Sequence, residues 1–200
     1  MEIKKMILGE LETNCYLLVF DENIIVVDPA GESEKILQQA EKLGKKINHV
    51  LLTHGHFDHC NGAKALQENG AKIYISKADA DMIAAGLDLA KYAGVEFNSF
   101  EPDGILSEGS YDFDGHEFYV YEMPGHTLGG LAFVFDGEIF CGDTLFFMGV
   151  GRTDLPTANA GQLLQSIKKL YSLGDGNVYP GHGRATTLNF EKENNPYVKA

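Results

Sequence analysis

Cysteine, arginine and unbroken apolar runs are scarce in this chain, and each scarcity excludes something. Three cysteines, Cys15, Cys60 and Cys141, are an odd and sparse set, which argues against a disulfide framework and favours a reducing compartment. No apolar run approaches the length needed to cross a bilayer. The N-terminal Met1-Glu2-Ile3-Lys4-Lys5-Met6 lacks the apolar core and small-residue cleavage site of a signal peptide. A cytoplasmic protein is expected. Basic residues are also few, 16 against 29 acidic ones, for a formal net charge of −13. That balance argues against a nucleic-acid or anionic-membrane partner, which needs a basic face. At 200 residues and 44% hydrophobic, the chain can bury one sizeable core, and one domain over residues 1–200 is expected.

Potential metal ligands, by contrast, are concentrated. Thr53-His54-Gly55-His56-Phe57-Asp58-His59 places four metal-capable side chains within six residues, directly after the apolar run Val50-Leu51-Leu52. That run reads as a buried strand ending in a loop. Imidazole and carboxylate are ligands preferred by zinc-like divalent ions, and a strand end crowded with them is a poor packing solution.

Read in order, Cys15–Phe20 and Ile24–Val27 form an antiparallel pair around the turn Asp21-Glu22-Asn23. Ser33 is placed to cap a helix whose apolar face carries Ile36, Leu37, Ala40 and Leu43, stopped by Gly44. Ile47–Leu52 is the strand feeding the histidine loop, followed by a short helix over Gly62–Asn69 and a strand over Lys72–Ser76. Lys77–Tyr92 has helical spacing throughout, and Gly94–Leu106 reads as an irregular surface excursion. A β-rich second half follows, with hairpins turning at Asp114-Gly115 and Asp136-Gly137. Gly161–Leu173 is amphipathic, Asn177–Tyr179 is a strand, and Asn189–Val198 reads as a terminal helix broken at Pro196. Two β-sheets faced by helices on the outside would suit this alternation.

Three further segments repeat the design of the histidine loop: Pro124-Gly125-His126-Thr127, Gly142-Asp143-Thr144 and Pro180-Gly181-His182-Gly183. Each puts a metal-capable side chain just past a strand end, beside a glycine. If the strands share a sheet edge, the four loops converge, and five of the seven histidines are accounted for.

The order H-x-H-x-D-H, later His, later Asp, later His resembles the metallo-β-lactamase-fold hydrolases over nearly the whole chain. Gly142-Asp143-Thr144-Leu145-Phe146, Gly151-Arg152-Thr153-Asp154-Leu155-Pro156 and Tyr179-Pro180-Gly181-His182-Gly183 are similar to the glyoxalase II group, the hydroxyacylglutathione hydrolases and their short bacterial relatives. The resemblance implies an α/β fold, an αββα sandwich with two mixed β-sheets and helices on the outer faces. It also implies two divalent metal ions, zinc first, with iron or manganese as alternatives. His54, His56 and His126 would bind one ion, Asp58, His59 and His182 the other, and Asp143 would bridge both. A shared hydroxide would attack the carbonyl of a small acyl-thioester, lactoylglutathione or an analogue, with Asp58 also orienting the nucleophile. The partner is then a small-molecule substrate, and the oligomeric state stays open.

Residues around the ligands divide between two readings. Asp28 resembles the family's loop acid that fixes a ligand imidazole, or it is a turn residue before Pro29. Thr53, Thr127 and Thr144 either support ligands or cap turns. For Arg152 and Arg184, a carboxylate clamp on substrate competes with a buried pair of Arg152 with Asp154 that locks the loop. Cys60 and Cys141 read as small core residues, Phe146, Phe147 and Met148 as core or pocket lining, and His49 and His116 as ordinary strand or surface histidines.

The chain also departs from the full-length glyoxalase II pattern. About eighteen residues follow His182, with the lysines Lys192 and Lys199, so a C-terminal glutathione-gripping domain is expected to be missing. Gly55 stands where those enzymes carry another histidine. The thiol carrier is therefore open, while thioester hydrolysis is retained. The rival on the same fold is a mononuclear-iron persulfide dioxygenase, which shares the Gly-Arg-Thr-Asp segment. A β-lactamase role is disfavoured by the missing export signal.

Overall fold

A computed structural model describes residues 1–198; Lys199 lies outside the described residues. The chain divides into two compact units, Met1–Ile105 and Leu106–Ala200.

The first unit is built on a six-stranded sheet. Its elements in chain order are β1 (Glu2–Leu8), β2 (Thr13–Val19), β3 (Asn23–Val27), α1 (Ser33–Lys42), β4 (Lys46–Leu51), α2 (Phe57–Cys60), α3 (Ala63–Glu68), β5 (Lys72–Ser76), α4 (Lys77–Ala84), α5 (Ala90–Ala93) and β6 (Gly104–Leu106). The strands lie in sequence order, with β1, β2 and β3 antiparallel and β3, β4 and β5 parallel. Parallel neighbours require crossovers, which α1 and the α2–α3 pair supply. Every residue of β2 and β3 is buried, which is why those strands read as continuous apolar runs rather than alternating ones. Ile24, Val26, Val50 and Ile73 share a core with Ile36 of α1 and Leu66 of α3.

Several expectations for this unit need correction. Ser33 is the first helical residue rather than the cap. Glu32 occupies the cap position in a left-handed conformation, φ 48°, with no side-chain cap bond. Its carboxylate instead accepts from the Gly9 N–H at 3.2 Å and pairs with Lys35. The helical pattern over Lys77–Tyr92 is interrupted: α4 ends at Ala84, Gly86 turns left-handed at φ 68°, and α5 restarts at Ala90. Spacing alone does not register that glycine-assisted break. The excursion over 94–106 is irregular for most of its length, but Gly104–Leu106 pairs as the edge strand. Phe100 is buried in the core.

The second unit also carries a six-stranded sheet, ordered β14-β13-β10-β9-β8-β7. Its elements are β7 (Gly109–Phe113), β8 (His116–Glu122), β9 (Leu131–Phe135), β10 (Glu138–Gly142), β11 (Leu145–Phe146), β12 (Gly149–Val150), α6 (Ala160–Tyr171), β13 (Asn177–Pro180), β14 (Thr186–Thr187) and α7 (Leu188–Asn194). Both Asp-Gly hairpins form, and each Asp and Gly has the positive φ of a type I′ turn: Asp114 57°, Gly115 84°, Asp136 52° and Gly137 85°. β10 and β13 run parallel, joined across α6. Leu163, Ile167 and Leu170 of α6 pack with Ile139 and Val178. The terminal helix stops at Asn194, before Pro196. The short hairpin β11–β12 and strand β14 have no periodicity long enough to be read from sequence. Among the described residues, no helix is long and apolar enough to cross a membrane.

Candidate metal centre

In the first unit, β4 ends at Leu51 and the chain delivers Thr53, His54 and His56 in non-helical backbone. His56 then caps α2 with φ −73° and ψ 144°, so Asp58 and His59 lie in one helical turn. The segment is thus half loop and half helix, where the sequence suggested loop throughout. The cluster is tight. The His54 ring centroid lies 4.8 Å from that of His56 and 4.0 Å from that of His59. One carboxylate oxygen of Asp58, Oδ2, is 3.5 Å from His59 Nε2. His54, His56 and His59 are all buried.

Burying three imidazoles beside a carboxylate requires orientation from outside the motif, and Asp28 supplies it. It sits after β3 with φ 52°, a backbone conformation aspartate tolerates better than most residues. Its Oδ2 accepts from His59 Nδ1 at 2.8 Å and from the Thr53 hydroxyl at 2.6 Å, and its Oδ1 accepts from the Thr53 N–H at 2.8 Å. The Thr53 hydroxyl has a single proton, and it is given to Asp28. Its lone pair therefore faces His54 Nδ1, 3.1 Å away, and that nitrogen is the donor. One carboxylate thus sets two imidazole tautomers, His59 directly and His54 through Thr53, and both rings direct an Nε2 lone pair toward the cluster.

Asp58 is held from a different side. The Thr13 hydroxyl, at the start of β2, donates to Asp58 Oδ2 at 3.0 Å. Gly55 is held in turn by Asp79, whose Oδ2 accepts the Gly55 N–H at 2.9 Å. A Cβ on Gly55 would come within 2.9 Å of Met82 Cε and 3.1 Å of the Asp79 carbonyl oxygen. That crowding explains a glycine between the two histidines. Neither Thr13 nor Asp79 was legible as part of the site. Thr13 is 45 residues from its partner. Asp79 reads as an ordinary first-turn acid of the helix capped by Ser76.

In the second unit, the three other strand-end residues come together around Asp143. Its Oδ2 is 3.5 Å from His126 Nε2 and 3.6 Å from His182 Nε2. His126 Nδ1 donates to the Arg152 carbonyl oxygen at 2.9 Å, so Nε2 again carries the lone pair. The chain closes in tightly: a Cβ on Gly151 would fall 1.9 Å from the Asp143 carbonyl oxygen and 3.3 Å from His126 Cβ. Gly142 ends β10 at a register shift with φ 50° and turns Asp143 out of the ladder.

The surrounding residues separate clearly. Arg152 and Asp154 do pair, bidentately, with Nε–Oδ1 2.7 Å and Nη2–Oδ2 2.8 Å. Their side chains are 62% and 69% exposed, so the pair is on the surface and not buried. The guanidinium pulls the Asp154 carboxyl down to about 2. Among the described residues Arg184 makes no such pair; its guanidinium carbon lies 3.4 Å from the centroid of the Phe147 ring. Phe146 approaches His182 edge-on at 6.1 Å, and Phe147 stacks on Phe190 at 5.3 Å. Cys60 and Cys141 are buried core residues, as their size suggests, and burial pushes the Cys15 and Cys60 thiols well up. His49 is buried on β4 and His116 opens β8.

In the first unit three imidazoles and a carboxylate lie together, and in the second two imidazoles and a carboxylate; these are donor types suited to borderline divalent ions.

Comparison with known proteins agrees with this chemistry. The family model described as the metallo-beta-lactamase superfamily matches residues 8–182. Hydroxyacylglutathione hydrolase GloC of Haemophilus influenzae is 35% identical over 100% of this chain and 99% of its own length. Among solved structures, the B3 metallo-beta-lactamase BLEG-1 superposes with a TM-score of 0.94 at 29% identity, covering 100% of both chains. TTHA1623, solved in a di-iron-bound form, gives 0.90 at 35% identity, covering 98% of this chain and 100% of its own. ETHE1 from Myxococcus xanthus gives 0.81 at 28% identity, covering 98% of this chain and 84% of its own. With a family model matched across most of its length and full-length likeness to solved members, the chain belongs to the metallo-beta-lactamase superfamily and has its α/β fold.

Proposed function

We propose that the chain is a dinuclear metallo-hydrolase that cleaves a small acyl-thioester in the cytoplasm. His54, His56 and His126 would hold one divalent ion, Asp58, His59 and His182 a second, and Asp143 both. The observation that carries this reading is Asp143, whose Oδ2 lies within 3.6 Å of an Nε2 on each of two histidines. A carboxylate so placed is suited to lie between two cations. Zinc fits the donor set, and iron or manganese would fit it too; TTHA1623 is described in a di-iron-bound form. When bound, two such ions supply electrophilic polarisation of a carbonyl and a water acidic enough to ionise near neutral pH.

The chain's own residues do the positioning. Asp28 and the Arg152 carbonyl hold the ligand imidazoles in one tautomer. Asp58, steadied by Thr13, is assigned to accept a hydrogen bond from the attacking water and keep its lone pair on the thioester carbonyl. The likeness to GloC supports a hydroxyacylglutathione-type thioester. The odd and sparse set of three cysteines supports a reducing compartment. The acidic surface suits a small-molecule substrate rather than a nucleic acid or membrane.

Metal analysis with a substrate panel tests the proposal: lactoylglutathione, other thioesters, a β-lactam and a glutathione persulfide. Two metal equivalents per chain and thioester turnover are expected. One iron per chain with oxygen uptake on the persulfide would identify the rival dioxygenase instead. Turnover of the β-lactam alone would overturn the substrate class, an outcome the likeness to BLEG-1 makes worth testing.

A further inference from the structure

We propose that Arg184, whose guanidinium carbon lies over the Phe147 ring, is a preformed recognition site for an oxyanion carried by the substrate, and that a carboxylate is its natural occupant. The proposal rests on the thioester reading for its substrate and on the second unit's geometry for its site.

The chain's other arginine, Arg152, is already committed, with two of its nitrogens engaged by Asp154. Arg184 is exposed, and among the described residues no carboxylate pairs with it; its guanidinium carbon lies 3.4 Å from the centroid of the Phe147 ring. Stacking uses the face of a guanidinium and leaves its N–H edge in plane, the geometry that grips a carboxylate or phosphate bidentately. Arg184 is two residues beyond His182 in the same loop, and Phe147 follows Phe146, whose ring meets that of His182.

The stack is also held in place. Glu191 of α7 is fully buried and bonds both walls. It accepts from the Met148 N–H at 3.0 Å, next to Phe147, and from the Thr186 hydroxyl at 2.7 Å, two residues past Arg184. Asn195 donates to Glu191 at 2.8 Å and to the Gly149 carbonyl at 3.1 Å, closing the network. Phe190 stacks on Phe147 from the same helix. A cation whose rotamer is fixed before binding loses less conformational freedom when it engages an anion. On a chain with net charge −13, such a site selects for an oxyanion at a set distance from the reacting carbonyl.

The test measures binding and turnover on the metal-loaded protein, wild type against Arg184→Ala and Arg184→Lys. S-methylglutathione and its dimethyl ester serve as non-hydrolysable probes. Lactoylglutathione, a lactoyl-coenzyme A thioester and the uncharged lactoyl-N-acetylcysteamine serve as substrates. Arg184→Ala should weaken S-methylglutathione binding roughly ten- to a hundredfold, leave the dimethyl ester unchanged, and lower kcat/KM for lactoylglutathione but not for the uncharged thioester. Arg184→Lys should recover only part of the loss, because the planar fork is gone. Dependence on Arg184 with the coenzyme A thioester alone would keep the site and assign it to phosphate. Equal effects on charged and uncharged ligands, or none, would overturn the proposal. Discrimination in binding without turnover of any thioester would leave the anion site standing and remove the thioesterase reading.

Discussion

Asp28 Oδ2 and His59 Nδ1 lie 2.8 Å apart, both side chains buried, and the same carboxylate reaches His54 through the Thr53 hydroxyl. Two imidazoles therefore depend on one acid that lies outside the candidate ligand set. Asp28→Asn keeps the shape and the acceptor for the Thr53 N–H but removes the charge. It should lower metal affinity about 10- to 100-fold with little change in thermal midpoint, read by chelator competition and calorimetry. Unchanged metal retention would show that the imidazoles are oriented without Asp28.

Thr13 acts on the neighbouring carboxylate. Thr13→Val is close to isosteric and removes only the hydroxyl that donates to Asp58 Oδ2 at 3.0 Å. A loss of about tenfold or more in kcat at nearly constant KM is expected, with a matching loss of affinity for one of two metal equivalents. Thr13→Ser should restore both. If the serine variant behaves like the valine variant, the methyl group and not the hydrogen bond is what matters.

Gly151 is required for space. An added Cβ would lie 1.9 Å from the Asp143 carbonyl oxygen, a backbone atom that cannot move without moving its own side chain. Gly151→Ala should cost about 3 kcal/mol or more in denaturant unfolding, and any folded fraction should lose metal. A variant with wild-type stability would mean this segment has slack that the geometry does not reveal.

The surface pair gives a pH prediction. Arg152 favours the ionised form of Asp154 and holds it at about 2, below the ordinary 3.8. The pair is therefore intact above pH 4 or so and is lost as pH falls through about 2. In Arg152→Gln the Asp154 pKa should rise back toward 3.8, followed by carboxyl-carbon NMR. Raising salt should shift the wild-type value in the same direction, because both groups are exposed. A pKa that ignores the substitution would mean the pair does not form in solution.

Much of the fold was readable because its signals are local. Asp114-Gly115 and Asp136-Gly137 specify turns by their own backbone preferences, and β2 and β3 announce burial by being apolar without interruption. Lys77–Tyr92 misled for the complementary reason: spacing reports a face, while the break at Gly86 comes from a left-handed turn that spacing does not register.

The sequence by itself determined the donor chemistry and the superfamily, and it placed His126, Asp143 and His182 just past strand ends, since residue identity and short spacing carry that information; that Asp58 and His59 lie in a helical turn was not legible. Only the tertiary structure decided how those donors are held. Thr13, Asp28 and Asp79 reach the histidine segment from 45, 31 and 24 residues away in sequence. The same was true of the arginines. Their scarcity was visible at once, but which one is tied down by Asp154 and which lies open on Phe147 depends on side-chain packing that no local pattern encodes. Hydrogen bonds and stacking between distant segments depend on the path of the folded chain, and they distinguish here a set of metal-capable residues from an ordered site.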